Sequence, residues 1–209
     1  MPKRKKQRLR EKLKPVFHIF CEGEKTEPNY LGSYIERKLP GTKLVVVEKT
    51  RKNTPVQLVE EATKAQKKAP AGDAFWVVYD REAPRKYPDA LHASARHKAE
   101  GKVSIALSNV CFEVWLLLHF QSTSAPYDSC DDLLSRSALT TTHIQGYDKA
   151  DRRQYSDEEI ASARSNAERM NQQTMNSADP RWNVPHKWNP YTNVYELLDA
   201  IDEFGAEHC

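Results

Sequence analysis

Short apolar runs alternate with segments of helical period along the first 120 or so residues. Residues 16–21 (VFHIFC) read as a strand, and Thr26 and Pro28 then open a helix on which Leu31, Tyr34, Ile35 and Leu39 recur. The pattern repeats with a strand at 43–48 (KLVVVE). A helix follows that has Thr54 as N-cap, Pro55 at its first position and Leu58, Val59, Ala62, Ala65 and Ala69 on one face. A third strand at 74–80 (AFWVVYD), a helix over 88–99 and a fourth strand at 103–107 complete the series.

Strands that are apolar on both faces and alternate with helices predict a parallel sheet covered on each side. The predicted fold class is therefore α/β: a Rossmann-like, four-stranded parallel sheet over residues 15–121, followed by a helical C-terminal extension over 122–209 packed on that core. Residues 112–120 (FEVWLLLHF) are apolar nearly all round and predict a buried helix. In the extension, Ser156 and Glu159 form a capping box ahead of a long helix with Ile160, Ala163, Ala167, Met170 and Thr174 on one face. A last helix is expected to start near Asn189–Pro190 and to bury Val194, Leu197, Leu198 and Ile201.

Composition narrows the chemistry. The chain of 209 residues is 39% hydrophobic and 29% charged, enough for a sizeable core. No run approaches the roughly 18 apolar residues of a membrane helix, and no secretory leader is visible, so a cytoplasmic location is expected. The net charge of +3 hides a division: residues 1–14 carry +7 and the remainder −4. That basic tail is expected to be a disordered terminus or a contact for nucleic-acid phosphates. Cys21, Cys111, Cys130 and Cys209 show no C-x-x-C pairing and read as buried thiols rather than a zinc knuckle or disulfide framework. Only 7 glycines are present and neither phosphate-cradling glycine motif occurs, which excludes a glycine-loop nucleotide site.

Ligands of open parallel sheets bind beyond the carboxyl ends of the strands. The first strand ends in Glu22-Gly23-Glu24-Lys25-Thr26-Glu27, the third in Asp80-Arg81-Glu82, and the fourth leads to Glu113. Carboxylates meeting there suit Mg²⁺ or Mn²⁺, with Glu22, Asp80 and Glu82 as ligands; Asp80 and Glu82, two apart in extended chain, should point the same way. Lys25, Lys49, Arg51, Lys52, Arg81, Arg85 and Lys86 ring these acids, as a metal-dependent phosphodiesterase requires.

Taken singly, Glu24, Glu27 and Glu82 read as solvated turn or cap acids, whereas Asp80 behind an apolar strand together with Glu22-Gly23 reads as functional. Glu113 in an apolar helix is either a metal-site residue or held by a structural hydrogen bond. His119 reads as a satisfied core histidine, and His92 and His97, five apart, are rejected as a ligand pair. Trp182 and Trp188 resemble a base-stacking platform, but packing of the last helix onto the core is favoured.

Glu22-Gly23 and Asp80-x-Glu82 resemble the Toprim arrangement of topoisomerases, primases and overcoming-lysogenization-defect nucleases. CEGEKTEPNY, WVVYDRE, SNVCFEVWLLLHF and NPYTNVYELL further resemble the RloB-like family, over residues 16–200. The resemblance implies a Toprim-like fold, a divalent metal, and a nuclease acting on DNA or RNA in bacterial anti-phage defence, often beside an ATPase partner. By position, Glu22 is then base or metal ligand, Asp80 the principal ligand, Glu82 replaces the second Asp of the motif, and Lys25 of the E-K-T-E segment stabilises phosphate charge; Glu113 joins the candidate catalytic set from its place in the apolar helix, not from the resemblance. Two other readings stand beside this one. The first is a non-catalytic or partner-activated effector subunit of an ATPase complex. The second, weaker, is a receiver-like phosphoacceptor at Asp80, which lacks the paired acids after strand one that such a site wants.

Overall fold

A computed structural model describes residues 14–209; the predicted basic tail lies, except for Lys14, outside the described residues. Five strands form one sheet in the order β2-β1-β3-β4-β5. Four of them, β1 (Phe17–Cys21), β2 (Val45–Glu48), β3 (Ala74–Asp80) and β4 (Ser104–Asn109), are parallel, in the positions the apolar runs predict. The fifth, β5 (Tyr191–Thr192), runs antiparallel to β4 and corrects the expected count of four.

Alternation along the strands divides the core in two. Phe17, Ile19, Cys21 and Val78 face a cluster shared by α1 (Thr26–Lys38) and the buried helix α4 (Glu113–Leu118), joined there by α6 (Asp157–Ser177) and α7 (Val194–His208). Phe20, Phe75, Val77 and Tyr79 face the opposite cluster with α2 (Pro55–Gln66) and α3 (Asp89–Ala99). Helices therefore cover both faces, which is why strands such as AFWVVYD carry so little polar alternation.

The local chemistry of the helices follows the sequence. Thr54 is the N-cap of α2 in extended conformation without a side-chain cap bond, and Pro55 at the next position lacks one of the N–H groups that would otherwise go unpaired. Ser156 and Glu159 make the reciprocal capping box of α6, whose buried residues are the five that its period predicts. A short helix, α5 (Cys130–Arg136), follows the core, with the Ser129 side chain accepting the Asp132 N–H at its N-terminus.

The last helix departs from expectation: Asn189–Pro190 is a cis bond leading into β5, and α7 begins only at Val194. Asn193 explains the shift. Its Oδ1 accepts the Leu107 N–H at 2.7 Å and its Nδ2 donates to the Ile105 carbonyl at 3.0 Å, extending the β4 edge by a side-chain amide. Asn171 on α6 does the same for the outer edge of β5, with Nδ2 donating to the Thr192 carbonyl at 2.8 Å and Oδ1 accepting the Thr192 N–H at 3.2 Å.

The expectation of four buried thiols holds for Cys21 and is corrected for the other three cysteines. Cys111 and Cys130 form a disulfide joining the start of α4 to α5, while Cys21 is buried and Cys209 exposed as free thiols. Trp182 is 48% exposed rather than packed under the last helix; Trp188 rests edge-on against Tyr191 at 5.5 Å. Among the described residues no helix is long and apolar enough to cross a membrane.

Asn193→Ala should leave the Leu107 N–H and the Ile105 carbonyl unpaired in a buried edge, at a cost of about 1–3 kcal/mol. Urea unfolding would read this as a lower midpoint at unchanged slope; a midpoint equal to wild type would show that the edge does not depend on the amide.

Candidate metal centre

The carboxyl ends of β1, β3 and β4 open on a cleft of about 410 Å³, and all five predicted site residues, Glu22, Lys25, Asp80, Glu82 and Glu113, line it. Each arrives by a different route. Glu22 follows β1 directly; its Oε2 accepts the Asp80 N–H at 3.1 Å and its Oε1 accepts the hydroxyl of Tyr87. Asp80 is the last residue of β3. Glu113 opens α4 and is 1% exposed, receiving the Tyr147 hydroxyl at 2.8 Å, the Thr26 hydroxyl at 3.4 Å and an ion pair from Lys149 at 3.3 Å. Lys25, the exposed N-cap of α1, stands at the mouth.

Glu82 reaches the same cleft, though not by extended chain. Its backbone has φ 55°, a left-handed conformation uncommon outside glycine and frequent at functional sites, and its side chain pairs with Lys86 at 2.7 Å. Arg81, expected on the basic rim, is instead 4% exposed. Its guanidinium donates to the carbonyls of Tyr87 (2.6 Å) and His186 (2.9 Å) and to Asp89 (2.8 Å), tying the 82–87 loop to the sheet. It therefore anchors Tyr87 and Glu82 and is withdrawn from phosphate contact. Lys49, Arg51, Lys52, Arg85 and Lys86 are exposed, and of these Lys86 lines the cleft.

One acid read as an ordinary helix-start residue belongs to the centre. Glu27 is 5% exposed, and its carboxylate folds back over Gly23, accepting the Gly23 N–H at 3.2 Å. A Cβ on Gly23 would lie 2.7 Å from Glu27 Cδ, closer than real Cβ contacts come. The glycine of Glu22-Gly23 is thus what admits Glu27; a Gly followed four residues later by Glu across a helix start was the available signal. Lys149 and Tyr147, in a polar loop without period, were likewise missed.

The electrostatics follow from this crowding. Six carboxyl groups, those of Glu22, Glu24, Glu27, Asp80, Glu82 and Glu113, share the cleft with three ammonium groups, those of Lys25, Lys86 and Lys149. Burial, then the neighbouring Glu27, Glu113, Glu22 and Glu82, push the Asp80 carboxyl well above the usual range. Burial, with help from Glu113 and Glu22, raises Glu27 to about 7. Glu22 is also raised by burial, in spite of the hydrogen bonds from Tyr87 and Asp80. Asp80 Oδ1 is sealed from solvent and has no hydrogen-bond partner among the described residues. An orphaned oxygen amid mutually repelling carboxylates fits a hard divalent cation, and the oxygen-only donor set suits Mg²⁺ or Mn²⁺ rather than zinc. The nearby Cys111, Glu113 and Cys130 also cluster, but their sulfurs are joined to each other.

The histidines stay outside this chemistry. His119 is 3% exposed, donates from Nδ1 to the Trp115 carbonyl at 3.0 Å and accepts the Tyr30 hydroxyl at Nε2 at 3.0 Å, the satisfied core histidine that the pattern predicts. Burial lowers it to about 3, so it stays neutral. His92 is buried against Tyr79 and His186, and His97 is exposed, so they form no pair.

The family model described as RloB-like protein matches residues 17–201, and the chain belongs to that family. Comparison with curated proteins and with solved structures returns no match.

Two outcomes follow from the crowded carboxylates. A carboxyl whose folded pKa lies above its unfolded value of about 4 holds a proton that the unfolded chain has lost. Its stabilisation is therefore complete below about pH 4 and disappears as pH rises through its folded pKa, about 7 for Glu27. In EDTA, Asp80→Asn should melt about 2–4 °C above wild type at pH 8, with the gap closing at pH 5; a variant that melts lower at pH 8 would contradict the repulsion. Gly23→Ala, by evicting Glu27, should weaken Mn²⁺ binding measured calorimetrically; wild-type affinity would show that Glu27 does not need the space.

Proposed function

We propose that this member of the RloB-like family is a Toprim-type nuclease that hydrolyses phosphodiester bonds of DNA or RNA with Mg²⁺ or Mn²⁺. The observation that carries the reading is Asp80 Oδ1, buried at the end of β3 without a partner among the described residues and with five other carboxyl groups lining the same cleft. Asp80, Glu22, Glu27 and Glu113 are the oxygen donors that would hold the ion, and Glu82, engaged by Lys86, stands at the rim. A divalent ion there supplies Lewis-acid stabilisation of charge developing on a phosphoryl group.

The chain's own residues do the rest. The N-terminus of α1, a helix of 13 residues, faces the cleft with Lys25 at its cap, and both favour an approaching phosphate. Glu22 is built to carry a proton. The Tyr87 hydroxyl lies against Glu22 Oε1 and also 2.5 Å from the Asn53 carbonyl. When Glu22 is ionised, Tyr87 donates to it; when Glu22 is protonated, the Tyr87 proton turns to Asn53 and Glu22 Oε1 donates to the Tyr87 oxygen. Either state is satisfied, so Glu22 can give or take a proton at a reacting oxygen without leaving a buried group unpaired. The Lys149 ammonium, 3.3 Å from Glu113, places a positive charge at the mouth of the cleft.

The setting implied by the family's motifs is bacterial anti-phage defence beside an ATPase, so turnover is tested with and without that partner. Plasmid, single-stranded DNA and tRNA are incubated with Mn²⁺ and with EDTA. Cleavage should require the ion and should vanish, by at least about 10³-fold, in Asp80→Ala while near-ultraviolet circular dichroism remains native. Undiminished cleavage by the folded variant would remove the proposal, and turnover seen only with the ATPase would assign the chain as a partner-activated subunit.

A further inference from the structure

A second cleft of about 340 Å³ adjoins the first and shares Thr26 and Lys149 with it. Its volume lies at the lower end of the ~300–1,000 Å³ typical of small-molecule sites. Tyr30, Leu116 and Ile144 give it an apolar lining, and Tyr147 and Tyr155 add two further aromatic rings. Arg153 lies over the ring of Tyr155 at 5.3 Å and that of Phe120 at 5.1 Å, which aligns a planar cation with the aromatic wall. Its Nε is buried and has no partner among the described residues, and its pair with Glu159 is long, at 3.5 Å. The site therefore presents aromatic faces, the planar Arg153 cation and, at the end next to the carboxylates, the Lys149 ammonium bound to Glu113 at 3.3 Å, with Asp148 and Asp151 on the same lining.

A ligand for such a site is flat and aromatic, carries acceptors on its edge, and bears an anion on the side facing Lys149. We infer that this cleft is a nucleobase subsite. It takes one unstacked nucleotide of a single-stranded or locally opened substrate, base against Tyr147, Tyr155 and Arg153, so that the attached phosphate lies beside Lys149 and faces the carboxylate cleft. Aromatic side chains and arginine planes hold unpaired bases in this way, and only an unstacked base can enter. The inference rests on the nuclease reading for the role of the neighbouring cleft, but the base subsite is observable without turnover.

The test is calorimetric titration of the full chain in EDTA with adenosine 5′-monophosphate, ribose 5-phosphate and inorganic phosphate. Adenosine monophosphate should bind, ribose 5-phosphate at least about tenfold more weakly for want of a base to stack, and a single-stranded octanucleotide should displace the mononucleotide. Ile144→Trp, which fills the space, and Arg153→Ala, which removes the planar cation without intruding on the core, should each weaken mononucleotide binding about tenfold and raise KM for octanucleotide cleavage. Equal affinity for ribose 5-phosphate, or wild-type affinity in Arg153→Ala, would overturn the subsite, and failure of the octanucleotide to displace would restrict it to free nucleotides and overturn its role in substrate capture. Base-dependent binding without any cleavage would leave the subsite standing and sink the nuclease reading alone.

Discussion

Asp80 leaves β3 into a space that already holds the carboxyl groups of Glu22, Glu27 and Glu113, and its Oδ1 meets neither solvent nor a donor. Like charges brought together out of water cannot all ionise unless something positive joins them. Protons serve when no cation is present, which is why burial and mutual repulsion lift Asp80, Glu27 and Glu22 together. The surrounding architecture answers to this one constraint. Gly23 has no side chain where Glu27 must fold back, Lys149 reaches in from the C-terminal half to Glu113, and Tyr87 can serve Glu22 in either protonation state.

Arg81 shows how the same constraint shapes the loop after β3. It stands between two acids of the cleft, and its guanidinium points away from them into the carbonyls of Tyr87 and His186. A buried arginine is tolerated only when its donors are met, and here they are met by the backbone that positions Tyr87 and Glu82. The left-handed backbone of Glu82 is kept by these anchors together with the hydrogen bond from its N–H to the Val110 carbonyl, which carries the ladder past the last residue of β3.

Most of the sheet was legible because its strands are apolar on both faces and its helices repeat at 3.6 residues; the buried face of α6 could be named residue by residue. β5 was not, since two residues have no period and its pairing depends on the side chains of Asn193 and Asn171. Glu22, Asp80 and Glu113 were legible as acids set directly beside apolar segments. Glu27 was hidden because an acid in the first turn of a helix is what the helix dipole favours anyway. Lys149 belongs to a loop whose position is fixed only by tertiary structure, as is the pairing of Cys111 with Cys130. Arg81 was misplaced because a base after a strand looks alike whether it turns to solvent or to the core.

The span of the centre along the chain has a temporal meaning. Its acids are drawn from residues 22 to 113, but the cation that neutralises Glu113 is at 149, and the strand that completes the sheet beside β4 is at 191–192. During synthesis the acidic cleft cannot be closed until most of the polypeptide has left the ribosome. A nascent chain therefore carries the acids of the cleft before it carries the ammonium that pairs with Glu113.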